Sequence, residues 1–337
     1  MPFNVTRPTS LQAVIISIIL IGLILTPANN TEPLVLTITP LQQILNDIFN
    51  YSLWIPYVAG FIMLAAITVL LGRVGMRSSA LSYKGYAPMV IFLSLTLASV
   101  DVTAIPRTLL TALLAMLALN HMMNSRKNDD LAAGEWAVIG WWTSLAIIVS
   151  SEALIMFLMI PIGIFSYRTW YAKEFLAALG GFLLPIALIN LTYIIIGISP
   201  LLAVNATQNL WIHPSFLDIM INDTNVIQQG FGALVLIYIV ISVILFLARS
   251  GSQLATMRGH LFYLILCLIL IAWTLLTPVF TPTILVLLYI PLSVVLTKGL
   301  ESKKNNLWLT ILYILLIAGA ISCKYHIQIL AFVEKNV

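Results

Sequence analysis

The residues of this chain best suited to chemistry are four carboxylates, Glu32, Asp47, Asp101 and Glu152, and one guanidinium, Arg107. A carboxylate beside an acceptor hydroxyl acts as a general base, and a guanidinium steadies an anionic leaving group such as a phosphate. Asp101 and Arg107 bracket the stretch LASVDVTAIPRTLL, and Glu152 sits in IVSSEALIM, with apolar residues on both sides. Ionised groups in such surroundings cost a few kcal/mol unless they pair or face water. Two arrangements satisfy that requirement. In one, Asp101 and Arg107 pair to close a tight hairpin and Ser150 or Ser151 caps the next helix. In the other, Asp101, Arg107 and Glu152 share a polar cavity with Asp47 or Glu32. A further stretch, LWIHPSFLDIMI, contributes Trp211 and His213 as substrate contacts.

Other chemistries find little support. The histidines are His121, His213, His260 and His326, with no HExxH or HxxxH pair, and zinc and non-haem iron sites need such clustering. Walker, GxSxG and Gly-rich dinucleotide motifs are absent. Cys267 and Cys323 lie in apolar runs without CxxC spacing, which argues against a disulfide or a metal pair. Four sequons in the external connections begin at Asn29, Asn50, Asn205 and Asn222, and they matter only in a eukaryotic secretory route. The cofactor is left open.

The elements that must position these residues are membrane segments. The chain is 61% hydrophobic and only 8% charged, against roughly 25% charged in a soluble globular protein. One core cannot hide that much apolar surface, so the bilayer is part of the solvent. The expected fold is an all-α polytopic transmembrane bundle in a single domain, with about eleven segments: 11–26, 51–71, 86–101, 105–123, 133–149, 152–166, 175–197, 229–248, 260–277, 282–297 and 307–322. The third, fifth, sixth and tenth fall short of the ~20 residues that a perpendicular span prefers. Tilting, re-entry or extension into the interface would accommodate them.

The connections alternate in charge. Arg7, then Arg73, Arg77 and Lys84, then Arg126 and Lys127, then Arg168 and Lys173, then Arg249 and Arg258, then Lys298, Lys303 and Lys304 fall on one side; these are thirteen of the sixteen bases. Arg107, Lys324 and Lys335 fall on the other. Basic short loops resist translocation, which predicts a cytoplasmic N-terminus and an external C-terminus. The basic residues sit in turns rather than in a stripe interleaved with aromatics, so nucleic acid is not a partner. The acids at Asp129, Asp130, Glu135, Glu174 and Glu301 are internal and read as solvated loop charges. Trp54, Trp136, Trp170 and Trp308 lie near segment ends and read as interfacial indoles.

Both long connections, 27–50 and 198–228, are external and lack Lys and Arg. In the first, Leu41, Ile44, Leu45 and Ile48 recur at helical spacing with Gln42, Gln43 and Asp47 between them, which predicts an amphipathic helix lying on the outer surface. The second, with Trp211, His213 and Asp218, predicts an interfacial or re-entrant piece. The first apolar run has signal-peptide features but no small-x-small cleavage site, and it reads as a retained helix. No internal repeat is evident, against an inverted-repeat transporter.

The stretch LAAGEWAVIGWWTSLAIIVSSEALIMFLMIPIGIFSYRTWYAKEFLAALGGFLLPIAL resembles a family of Bacteroidota multi-span membrane proteins of unknown function. The likeness includes Arg168-x-Trp170, Lys173-Glu174, Gly180-Gly181 and Pro185, and continues in RTLLTALLAMLALNHMMNSRK and LYIPLSVVLTKGLESKKNNLWLTILYILL. Some members carry the label carotene oxygenase, which the scattered histidines oppose. The layout is also similar to membrane glycosyltransferases that use polyprenyl-phosphate sugars. That resemblance implies a long first external loop bearing a catalytic carboxylate, here Glu32 or Asp47, and a cation such as Arg107 on the lipid phosphate. The paired acids usual just after the first helix are absent, and the outer loops are small.

Three functions fit this pattern. A lipid-linked sugar transferase at the outer face of the inner membrane needs the loop carboxylates. A non-catalytic scaffold that assembles with other envelope membrane proteins needs only the helices and a docking face. A transporter or flippase needs a polar residue near the midplane, and the candidates there are Ser94, Thr96, Asn190 and Thr192.

Overall fold

The computed structural model describes residues 10–26, 47–48, 54–77, 85–99, 105–124, 132–167, 172–197, 226–249, 261–271, 282–300 and 307–326. Every regular element among them is helical. In chain order these are α1 (Ser10–Leu25), α2 (Trp54–Arg77), α3 (Ala87–Ser99), α4 (Ile105–Asn124), α5 (Ala132–Val149), a 3₁₀ stretch (Ser151–Leu158) running into α6 (Met159–Tyr167), α7 (Ala172–Ile196), α8 (Val226–Arg249), α9 (Leu261–Ile271), α10 (Pro282–Leu300) and α11 (Leu307–Lys324). Three stretches are long and apolar enough to cross a membrane: Trp54–Met76, Ala172–Ile196 and Ile227–Ile244. They mark the chain as a membrane protein.

Helices apolar on every side belong in the interior, and α3 and α10 are such helices. Ala87 to Leu97 are buried without a break, as are nearly all of residues 283 to 297. Around them, α3 and α8 each pack on both α10 and α11, while α4 packs on α2, α5 and α10. The apolar outer faces of α1, α2, α7 and α8 are left exposed, as lipid-facing surface must be.

The sixth apolar segment is wound in two ways. A 3₁₀ helix rises about 2.0 Å per residue against 1.5 Å in an α-helix. Eight residues of 3₁₀ and nine of α therefore cover ~30 Å, close to the thickness of a bilayer core. An unbroken α-helix of that length would fall ~4 Å short.

The most extensive contact in the bundle joins α5 to α7, which are not neighbours in sequence. Small residues make it possible. A methyl group at Gly140 would strike the Ala178 carbonyl, and one at Gly181 would strike the Ala137 carbonyl. Without lipid-exclusion energy between helices, such close backbone approach is the main source of cohesion.

Three expectations need correction. Trp136 is not an interfacial indole: it is wholly buried, its ring lying against Gly163 of α6. Glu174 is buried in the first turn of α7 rather than solvated. Ser150 does not cap the following helix. Ser150 occupies the N-cap position, but its hydroxyl turns to Glu152 instead.

Candidate functional site

Cross-helix contacts gather a defined set of helix ends. The Lys324 ammonium donates to the Ile24 carbonyl at 2.7 Å, and the Thr26 and Tyr325 hydroxyls meet at 2.7 Å. The Cys323 thiol reaches the Ala98 carbonyl at 3.5 Å. Thr108 and Thr283 share a hydrogen bond at 3.2 Å, and Arg107 meets Glu152. The C-terminal ends of α1, α3 and α11 therefore lie together, as do the starts of α4, α10 and the 3₁₀ stretch. Gly85 donates to the Gly75 carbonyl, which turns α2 back into α3 at the opposite end. The start of α2, seven residues after Asp47, consequently lies at the same end as the close of α3.

The polar centre of this end is Glu152. Its side chain is 1% exposed, and both carboxylate oxygens are occupied. Arg107 donates from Nη2 to Oε1 at 3.3 Å, and Ser150 donates from its hydroxyl to Oε2 at 3.1 Å. Local backbone geometry makes this possible. Ser150 is extended, its amide bonds back to Ala146, and its own carbonyl accepts from the Ala153 amide. That single extended residue between α5 and the 3₁₀ stretch aims Ser150 and Glu152 at the same point.

Arg107 stands in the first turn of α4, just after Pro106, which suits a helix start because the missing N–H is unneeded there. A cation in the first turn opposes the helix dipole. The Glu152 carboxylate offsets that disadvantage. The Arg107 side chain is still 19% exposed, and its Nε–H is buried without a hydrogen-bond partner among the described residues. A guanidinium held by one carboxylate, with donor capacity left over, has the chemistry to accept a second oxyanion.

Of the other sequence-derived residues, Asp47 is exposed in a short helical piece with Ile48. Glu32, Asp101, Trp211 and His213 lie outside the described residues, and with them the Asp101–Arg107 pair, most of the 27–50 connection with its amphipathic helix and nearly all of the 198–228 connection. Three of the four midplane candidates are locally satisfied: Ser94 and Thr96 donate to the Val90 and Phe92 carbonyls of their own helix, and Thr192 donates to that of Ile189. His326 donates from Nδ1 to the Cys323 carbonyl. His121 pairs with Glu135 at 2.8 Å at the far end of α4.

Sequence reasoning missed the role of Ser150 as a Glu152 ligand, and it missed two buried tyrosines, Tyr238 and Tyr313. The first had a signal, a serine two residues before an isolated acid. The tyrosines had none, because a tyrosine in an apolar helix reads as ordinary core.

A scan of protein-family models, a search of curated proteins and a search of solved structures each return no match for this chain.

Proposed function

We propose that the protein is a multi-pass inner-membrane enzyme that transfers a sugar from a polyprenyl-phosphate carrier at the external face. The observation that carries the proposal is Arg107, anchored by a buried carboxylate, with its Nε–H unpartnered among the described residues, at the end where α2 begins. In this reading Arg107 holds the lipid phosphate and steadies the charge it gains as the sugar leaves. Glu152 is a positioning residue, because both its oxygens are already engaged. The base that takes the proton from the acceptor hydroxyl is then Asp47 or Glu32 in the first external loop.

The proposal includes the topology: eleven segments, N-terminus in the cytoplasm and C-terminus outside. Cysteines placed at Asn30, Thr207 and Asn222 should react with an impermeant thiol reagent in intact cells, whereas cysteines at Ser79, Asn128 and Lys303 should be shielded. Labelling at Asn128 with protection at Asn30 would invert the protein and remove the external site.

Function is tested on protein in lipid nanodiscs, with polyprenyl phosphate to measure binding and a polyprenyl-phosphate sugar plus a hydroxyl acceptor to measure transfer. The Arg107→Met, Glu152→Met double variant removes both charges together, so no buried ion is stranded. It should lose binding of the phosphate, and retained binding would end the assignment to Arg107. The Glu32→Gln, Asp47→Asn double variant should keep binding but lose sugar transfer. Full transfer by that variant at normal abundance would end the glycosyltransferase reading. A scaffold is the second reading, favoured by the exposed apolar length of α7 beyond Pro185; under it, phenotype follows protein level in every variant.

A further inference from the structure

Two glycines stand side by side in α7 and look in different directions. Gly181 lies against the Ala137 carbonyl of α5, whereas a methyl group at Gly180 would meet nothing within 4 Å. Glycine weakens a helix interior relative to alanine. At Gly181 the close approach to α5 offsets that cost, and at Gly180 nothing among the described residues does. Gly180 belongs to an outward stripe of Leu176, Gly180, Leu183, Ala187, Asn190 and Ile194, at alternating spacings of four and three. Leu176, Leu183 and Ile194 are each more than half exposed, and Gly180 and Ala187 are exposed as well. The opposite, buried face holds Glu174, Ala178 and Pro185, so the proline does not interrupt the stripe. Spacings of four and three make the seam of a coiled coil. Over its first four positions this seam alternates large with small, which is the pattern that interdigitates. Asn190 stands in the same seam, ~9 Å from the middle of the helix and so within the hydrocarbon. Its amide makes no hydrogen bond among the described residues.

A polar side chain in hydrocarbon is satisfied by a neighbouring helix, and small residues let that helix come close. We propose that this face of α7 is the interface of a homodimer, its occupant a second copy of the chain. Two copies inserted in the same orientation meet with their α7 helices parallel, about a two-fold axis along the membrane normal. Each seam residue then faces its own counterpart. Asn190 suits that arrangement because an amide both donates and accepts, so two of them satisfy each other. A single asparagine in a coiled-coil seam also fixes the register and the number of helices. Gly180 opposite Gly180 lets the backbones close, and Leu176 and Leu183 pack on either side. A different partner would need a polar group of its own at the same depth. A second copy carries one by construction. The seam does not rest on the sugar-transfer reading and would serve a transporter or a scaffold equally.

Oxidative cross-linking of the full-length chain in membranes tests the seam. The native thiols of Cys267 and Cys323 are buried, and the parent chain supplies their background. Leu183→Cys and Ile194→Cys should give a disulfide-linked dimer, several-fold above Leu188→Cys and Ile195→Cys, which are exposed but turned away from the stripe. Equal yields at all four positions would mean random collision and overturn the proposal. A cross-linked product with a different protein would overturn the choice of a second copy. Counting of fluorophore bleaching steps on single molecules in dilute liposomes supplies a second readout. The parent should be mostly dimeric, and a monomeric parent, its seam covered by lipid, would overturn the proposal. Gly180→Leu enters open space in the monomer, so it should leave the unfolding midpoint unchanged while lowering the dimer fraction several-fold. Asn190→Leu should lower that fraction too, and Asn190→Gln, which keeps the amide, should retain it. An undiminished dimer fraction in Gly180→Leu would show that the helices do not meet at this face.

Discussion

Helix α4 carries one charge pair at each end, and the two differ in almost every respect but their partner type. At its start, Arg107 meets Glu152 at 3.3 Å, with side chains 19% and 1% exposed. At its end, His121 meets Glu135 at 2.8 Å, with side chains 30% and 33% exposed. The shorter pair is the weaker one in the sense that matters for folding. His121 stands at a helix C-terminus and Glu135 in the first turn of α5, where the dipoles already favour each charge, and water solvates both. Arg107 stands against its dipole, and Glu152 is out of reach of water. Distance therefore says little about the consequence of breaking a pair. What decides it is where the surviving partner is left.

The largest effect should come from Glu152→Ala. It strands Arg107 beside an apolar hairpin, and loss of one member of a buried pair costs about 3–5 kcal/mol. Abundance in the membrane and the unfolding midpoint should both fall sharply. The Arg107→Met, Glu152→Met double variant should recover most of that loss. A double variant as unstable as Glu152→Ala would show that the pair itself, rather than the stranded charge, holds this end together.

His121→Ala should do far less, about 0.2–1 kcal/mol, because both groups of that pair remain solvated. A loss comparable to that of Glu152→Ala, measured by thermal unfolding under the same conditions, would erase the contrast between the two ends. The smallest effect should be the response to salt. In a buffer acidic enough to protonate an imidazole, raising ionic strength from about 0.05 to 0.5 M should shrink the His121→Ala effect, since exposed pairs are screened, and leave the Glu152→Ala effect nearly unchanged. Equal salt dependence at the two ends would mean that water reaches Glu152.

Much of the helical framework was legible in the sequence. The apolar runs predicted at 51–71, 105–123, 133–149 and 282–297 appear as α2, α4, α5 and α10, with ends displaced by a few residues. The helical contacts also join ends that the alternation of basic loops places on one side: Ile24 with Lys324, Thr108 with Thr283, Arg107 with Glu152. The site was legible only in outline. Arg107 and Glu152 were marked because each is an isolated charge in apolar surroundings. Their pairing was not, because Asp101 is the nearer acid in sequence and Glu152 lies 45 residues away.

Hydrophobicity is a local and additive property, so residue order alone is enough to read that this chain is helical, that a bilayer solvates it, and which residues are too polar to stand alone there. Partnership is neither local nor additive. That Trp136 is core and Glu174 buried, that α5 meets α7 through Gly140 and Gly181, and that Ser150 turns to Glu152 rather than capping a helix were decided only when the helices packed. The tertiary structure decided them because a buried charge or hydroxyl accepts whichever partner the neighbouring helix brings within about 3 Å.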